Sequence, residues 1–362
     1  MTTATTLGKA LPIKYGKARN ESYGFVAESV PVYGSSGVIG EFNRALTMGP
    51  ALIVGRKGSA GSIHYSAAPC WPIDTVYYAE TPPDSTLHYF RYLLEHLRLG
   101  QHDKSTAIPS LGRDDYNAIP VSVPPLAEQE WIVAYLDEQL SRLDASVAAL
   151  HRVQANLKRY TKSLIQSLTT ANESSTWSVV SVDDIAQSLD NMREPVNKTE
   201  RALRGGSVPY LGANGQTGWI DKPLFDEELV LVVEDETFIG RSQPFCYYFA
   251  GECWVNNHTH VLRAKPGVVT AKYLNFALSY YPFIPLTTGS TGRRKLTKKA
   301  LMAAPLSVPP LAEQHRIVAE ADRRLSLIRI AEAQVGANLA RAQRLRQSIL
   351  QAAFRMPAQA GQ

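Results

Sequence analysis

Two long stretches of the chain repeat apolar residues at alternating steps of three and four. In the first the apolar positions are Leu126, Val133, Leu136, Leu140, Leu143, Val147, Leu150, Leu157, Leu164 and Leu168, interrupted by polar Gln129, Gln154 and Thr161. This is the seam spacing of a coiled coil, and it predicts a helix of about 43 residues, roughly 65 Å at 1.5 Å per residue. Pro124-Pro125 gives an extended lead-in and tolerates a helix start, and Glu128 lies in the first turn, where the helix dipole favours an anion. A second stretch starts at Pro309-Pro310 and runs through Val318, Leu325, Ile328, Val335, Leu339, Leu345 and Ile349 to Phe354, before Pro357 forbids extension. Its heptad register slips near Ala331. Neither stripe can stay exposed to water. The simplest burial is against the other helix, in an antiparallel pair with a globular body at each end.

The remaining sequence reads as short β-branched and aromatic runs broken by glycine turns. Residues 51–54, 75–78, 229–233 and 260–262 predict strands, and residues 87–98 and 271–280 predict short helices. The expected fold class is α+β: two similar mixed α/β domains separated by two long helices that form an antiparallel coiled coil, with pseudo-two-fold symmetry.

That symmetry is written in the residues. Val123-Pro-Pro-Leu-Ala-Glu-Gln129 recurs unchanged as Val308-Pro-Pro-Leu-Ala-Glu-Gln314, and without a gap Ile132-Val-Ala134 matches Ile317-Val-Ala319. Upstream, Leu111 aligns with Leu296, Gly34, Gly37 and Gly40 with Gly212, Gly215 and Gly218, and Cys70-Trp71 with Cys253-Trp254. An ungapped block holding a seven-residue identity marks an internal duplication. The expected segments are a first domain at 1–123, a first helix at 124–171, a second domain at 172–308, a second helix at 309–357 and a tail at 358–362. One unit written twice provides two similar, separately varied working surfaces, which suits a reader of bipartite targets.

Composition narrows the class. A chain of 362 residues, 44% hydrophobic and 20% charged, can build two cores, and a net charge of +5 favours a polyanionic partner. Cys70, Cys246 and Cys253 form no C-x-x-C pair, and their odd number fits a reducing compartment. Cys253, His258 and His260 are zinc-ligand types, but the matching Cys70 has no following histidine pair, so no metal site is expected. The start lacks a basic-then-apolar leader and no run approaches 18 apolar residues, so the expected location is the cytoplasm, away from membranes. Gly55-Arg-Lys-Gly58-Ser-Ala-Gly61 has neither phosphate-loop nor dinucleotide-loop spacing, and no Asn/Asp-Pro-Pro-Tyr/Phe cluster is present, so no catalytic residues are expected.

The binding signals are stronger. Arg56, Lys57 and Ser59 sit on a glycine loop that allows close backbone approach, suited to phosphate and base contact. Before each helix lies a second basic segment: Lys104 and Arg113 in the first copy, and Arg293, Arg294, Lys295 and Lys298 in the second. The turns carrying Ser35 and Ser36, and Asn214, offer short polar side chains to base edges, and Arg241 adds a cation to the expected DNA-contacting set. Glu234 and Asp235 occupy roughly the place of Arg56 and Lys57, where an acid could accept from a cytosine amino group. A loop basic in one copy and acidic in the other points to two different sequences being read.

With both Pro-Pro-Leu-Ala-Glu-Gln motifs, Val30-Pro-Val-Tyr-Gly-Ser-Ser-Gly-Val-Ile-Gly40, Ile53-Val-Gly-Arg-Lys-Gly-Ser-Ala-Gly61, and Trp177 before Val182-Asp-Asp-Ile185, the chain resembles the specificity subunit of type I restriction-modification systems. The resemblance implies two target recognition domains, helices that fix the spacer, and a non-catalytic chain that binds double-stranded DNA. It also implies docking of two methyltransferase subunits, through Leu126, Gln129, Ile132 and their repeats Leu311, Gln314 and Ile317, with restriction subunits added in a full complex. No cofactor is then bound by this chain; the partners would use S-adenosylmethionine, and ATP with Mg2+ for restriction. The first copy departs from the pattern in lacking a tryptophan like Trp177 at its start. The alternative reading is a coiled-coil scaffold that binds no DNA.

Overall fold

The computed structural model describes residues 3–20, 24–102, 109–171, 176–234, 241, 243–289 and 294–355. The chain divides into two compact units, Met1–His151 with Gly336–Gln362, and Arg152–Val335. The boundary falls inside both long helices, Leu126–Thr169 and Leu311–Ala353.

In the first unit, strand Thr3–Thr6 pairs antiparallel with Pro120–Val123, the strand that leads into the first long helix. A four-stranded sheet runs in the order Lys14–Tyr15, Val76–Glu80, Ala51–Gly55, Ile63–Ser66. Its central strand Ala51–Gly55 is buried at every position, so it reads as a continuous apolar run rather than an alternating one. A hairpin of Phe25–Gly34 and Gly37–Ala45, flanked by Trp71–Pro72, makes a separate three-stranded sheet. Gly37 closes the Ser35-Ser36 turn at φ 107°, a conformation open to glycine and strained for other residues. Helix Leu87–Leu97 starts where the Thr86 hydroxyl accepts from the His88 N–H and stops at left-handed Arg98. Its Phe90 and Leu94 share a core with Leu52, Val54 and Tyr77, with Leu136 and Leu140 early in the first long helix, and with Leu350 and Ala353 late in the second.

The second unit repeats the plan. Ser178–Ser181 pairs with Pro305–Val308, and Ser181 and Asp184 form a reciprocal capping box at the next short helix. The strands here join into one six-stranded sheet, ordered Ala186–Ser188, Thr259–Ala264, Phe225–Val233, Cys246–Val255, Val208–Gly212, Gly215–Ile220. Cys246–Val255 is continuous and pairs with strands on both sides. The matching stretch of the first unit breaks between Ser66 and Trp71, where a bend at Ala67-Ala68 and the missing N–H of Pro69 interrupt pairing, and this splits the sheet in two.

Within each unit the long helices run in opposite directions. In the first, Arg346 Nη1 meets Asp144 at 2.8 Å; in the second, Ile165 and Leu168 cluster with Ala321 and Val318. On the first helix the buried seam starts at Ile132, with Val133 only half-buried. Near the expected register slip, Leu327 and Ile330 face outward although the helix is unbroken. Among the described residues no helix is long and apolar enough to cross a membrane.

Candidate nucleic-acid interface

In the first unit the Gly55–Gly61 loop is fixed by its backbone. Arg56 N donates to Thr75 O at 2.9 Å, Leu111 N donates to Arg56 O at 2.9 Å, and Lys57 forms a bridge with Ser110. The loop therefore follows the sheet instead of floating, and the Arg56 side chain is held as well. Its guanidinium lies 5.1 Å from the Tyr15 ring centroid and 6.0 Å from that of Tyr77, and Nη1 donates to Asp74 O at 3.1 Å. Arg113 approaches the same Tyr15 ring at 5.4 Å and donates to Ile13 O at 3.2 Å. Tyr15 itself is 45% exposed. Burial, with Tyr15 beside it, pushes the Tyr77 phenol up, so Tyr77 stays neutral and donates to Leu111 O at 3.0 Å. Lys57 and Ser59 are exposed on the same loop. The Ser35-Ser36 turn lies beside it: a Cβ added at Gly58 would stand 3.5 Å from Ser35 Oγ, and Ser35 O accepts from Ser62 and His64. Among the described residues no carboxylate is ion-paired with Arg56, Lys57 or Arg113. Lys104 lies outside the described residues.

The second unit furnishes the same place with opposite chemistry. Leu296 N donates to Glu234 O at 2.8 Å, as Leu111 N does to Arg56 O, so Glu234 stands where Arg56 stands. The sheet register sets Tyr15 opposite Tyr77 in one unit and brings Asp190 to His260 in the other. His260 is bonded on both sides, with Nδ1 2.6 Å from Asp190 Oδ2 and Nε2 2.8 Å from Leu296 O. Glu234 is 5% exposed, and its two oxygens accept from Arg193 at 2.7 Å and Lys295 at 2.6 Å. The expectation that Glu234 receives a cytosine amino group is thereby corrected: both oxygens face protein cations inside the unit. Asp235 lies outside the described residues. Burial opposes ionisation of Asp190 and Glu234, but His260 with the Val261 N–H, and Arg193 with Lys295, outweigh it and hold both carboxyls below their ordinary values.

The basic segment of this unit is also partly spent. Lys295 serves Glu234, and half-buried Arg294 donates to Thr287 Oγ1 at 3.2 Å. Lys298 is exposed at the start of helix Lys298–Met302, at the place Arg113 holds in the first copy; Arg293 lies outside the described residues. Asn214 and Arg241 meet each other, Nη1 to Oδ1 at 2.8 Å, while Pro244 O accepts twice from the same guanidinium. Burial lowers the Arg241 pKa. Cys253 is buried in the sheet core with its thiol pushed up to about 12 by burial, and no group of three metal-ligating side chains comes together among the described residues.

The repeated glutamines have a role that sequence reading placed elsewhere. Gln129 is 1% exposed and Gln314 is 0% exposed. Gln129 Oε1 accepts from Thr86 N at 3.1 Å while Nε2 donates to Pro124 O at 2.9 Å. Gln314 Oε1 accepts from Thr270 N at 2.9 Å, and Nε2 donates to Val268 O and Pro309 O at 2.9 Å each. Each glutamine thus ties the start of a long helix to the N-cap of the short helix beside it. Ile132 and Ile317 are buried in their own units. These four residues are internal to their units, whereas Leu126 is exposed and Leu311 half-buried. Tyr15, Asp190 and Arg193 escaped the sequence reading: Asp190 and Arg193 meet each other locally, but the contacts that place them in the site, with His260, Glu234 and, for Tyr15, Arg56 and Tyr77, span 41 or more residues.

Residues 6–157 and 174–333 each match the family described as type I restriction modification DNA specificity domain. A Haemophilus influenzae chain assigned as a type I restriction enzyme specificity subunit is 33% identical over 137 residues, 38% of this chain and 34% of that one. The type I restriction enzyme EcoDI specificity subunit of Escherichia coli is 22% identical over 307 residues, 71% of this chain and 66% of its own length. The chain thus spans about a third to two thirds of these relatives. A solved structure concerned with complex assembly and conformational transition of the type I R-M system contains a chain of similar fold, with a TM-score of 0.69 at 16% identity, covering 98% of this chain and 97% of that one.

Proposed function

Since the chain belongs to the type I restriction modification DNA specificity family, we propose that it is the non-catalytic DNA-reading subunit of such a system. Each unit reads one half of a bipartite duplex target, and the long helices set the nonspecific spacer. The chain docks two methyltransferase subunits, with restriction subunits joining in a full complex. It binds no cofactor of its own; S-adenosylmethionine belongs to the methyltransferases, and ATP with Mg2+ to restriction.

The observation that carries this reading is the pair of equivalent positions. One fold holds Arg56, Tyr15 and Arg113 in the first unit, and Glu234, Asp190 and Arg193 in the second. A scaffold that binds only protein has no need to refurnish one backbone site with opposite charge, whereas a reader of two unlike half-sites does. Selection from random duplex DNA by the full chain with its methyltransferase tests it. A split motif with a fixed gap is the expected product; a contiguous motif, or none, overturns the reading.

A further inference from the structure

We propose that Arg56, braced by Tyr15, reads a guanine in the first half-site. This rests on the DNA-reading function proposed above and names the chemistry of one of its contacts.

Phosphate contacts need charge and tolerate freedom; base reading needs a donor pair fixed in direction. Lys57 fits the first description, exposed on a loop and without a carboxylate partner among the described residues. Arg56 fits the second. Its guanidinium packs against two aromatic rings and gives one N–H to a main-chain carbonyl, so its plane is set before any ligand arrives. One of its five N–H groups is used, which leaves a fork free to meet two acceptors. Of the base edges in the major groove, guanine alone presents two acceptors side by side, O6 and N7, and arginine is the side chain that fits them bidentately.

Bracing also lowers the cost of binding, because rotamer freedom is already lost in the free protein. The brace is shared: Arg113 leans on the same Tyr15 ring and is tied to Ile13 O. The second unit cannot read the same base from this place, since Glu234 stands there with both oxygens occupied. Guanine recognition at this position therefore belongs to one half-site only.

Competition binding by the full chain with its methyltransferase tests it, using duplexes in which each base pair of the selected motif is replaced in turn. For the unaltered chain, replacing one G·C pair of the first half-site should cost about tenfold to a hundredfold in affinity. Arg56→Lys keeps the charge and loses the fork; it should abolish discrimination at that pair while the other half-site is read as before, which also shows that the variant is folded. Tyr15→Ala should weaken discrimination at the same pair and Tyr15→Phe should keep it. An Arg56→Lys chain that loses affinity equally for all duplexes, with discrimination intact, would mark a phosphate contact and overturn the proposal, as would relaxation at an A·T pair. Absence of any bipartite specificity in the unaltered complex would instead overturn the function on which the proposal rests.

Discussion

Replacing Gln314 by leucine preserves side-chain volume and removes three hydrogen bonds: one accepted from Thr270 N and two donated to Val268 O and Pro309 O. The site is fully buried, so the abandoned main-chain groups gain little from water. A stranded buried donor or acceptor costs roughly 1–3 kcal/mol, and relaxation of the two carbonyls offsets part of the total, giving about 2–4 kcal/mol. At 1.4 kcal/mol per factor of ten, local opening should rise about thirtyfold to several hundredfold. Amide hydrogen exchange reads this directly in helix Ala271–Ser279, whose cap Gln314 holds, with helix Leu87–Leu97 of the other unit as the unaffected control. Gln314→Glu should be worse at neutral pH, because a carboxylate oxygen would face two carbonyl oxygens, and it should recover toward the leucine variant on acidification. Exchange in Ala271–Ser279 that changes less than about threefold in both variants would refute the assignment of Gln314 as an internal clamp.

Arg193→Met takes one cation from buried Glu234 and Asp190, leaving Lys295 to the first and His260 with the Val261 N–H to the second, and should destabilise the second unit by about 1.5–3 kcal/mol; adding Glu234→Met should restore part of that loss in denaturant unfolding, and strict additivity would count against a coupled network. Asp190 and Glu234 both have lowered pKa values in the fold, so the stability they contribute is present above their ordinary values, 3.8 and 4.5, and fades as the pH falls through their folded values. Acid unfolding of the second unit should accordingly be less steep in Glu234→Gln, and an identical pH profile would contradict the assignment. Inserting four residues within 145–160 adds about 6 Å of helix, comparable to one or two base pairs, and should lengthen the nonspecific spacer while both half-sites persist; an active insertion mutant with an unchanged spacer would show that the helices do not set it.

The long helices were legible because a seam periodicity repeats over many turns, and central strands such as Ala51–Gly55 because both faces are buried and the run is uniformly apolar. The hairpin of Phe25–Gly34 and Gly37–Ala45 was less so: the neighbours Phe25 and Val26, and Val38 and Ile39, are apolar and exposed on both faces, which blurs the alternation that would announce it. The glutamines misled for a related reason. A polar residue kept in both copies reads as a surface contact unless its matching N–H and C=O groups are seen, and Thr86 and Thr270 lie more than forty residues from them in sequence. Glu234 looked like a base reader beside its own loop, while Arg193 and Lys295, which neutralise it, arrive from distant segments. Tyr15 carried no local signal at all, since its meaning comes from two arginines that the sheet and the short helix starting at Arg113 bring to one ring.

On the proposed function the two copies read DNA separately, each with its own furnishing of one shared fold. Mapping methylated adenines in cells carrying the chain and its methyltransferase, before and after residues 172–308 are exchanged for the corresponding domain of another family member, tests it most directly. The expected result is a split motif in which the exchange changes one half-site and leaves the other half-site and the spacer as they were. A motif altered in both halves, or methylation that does not depend on the exchanged domain, would contradict it.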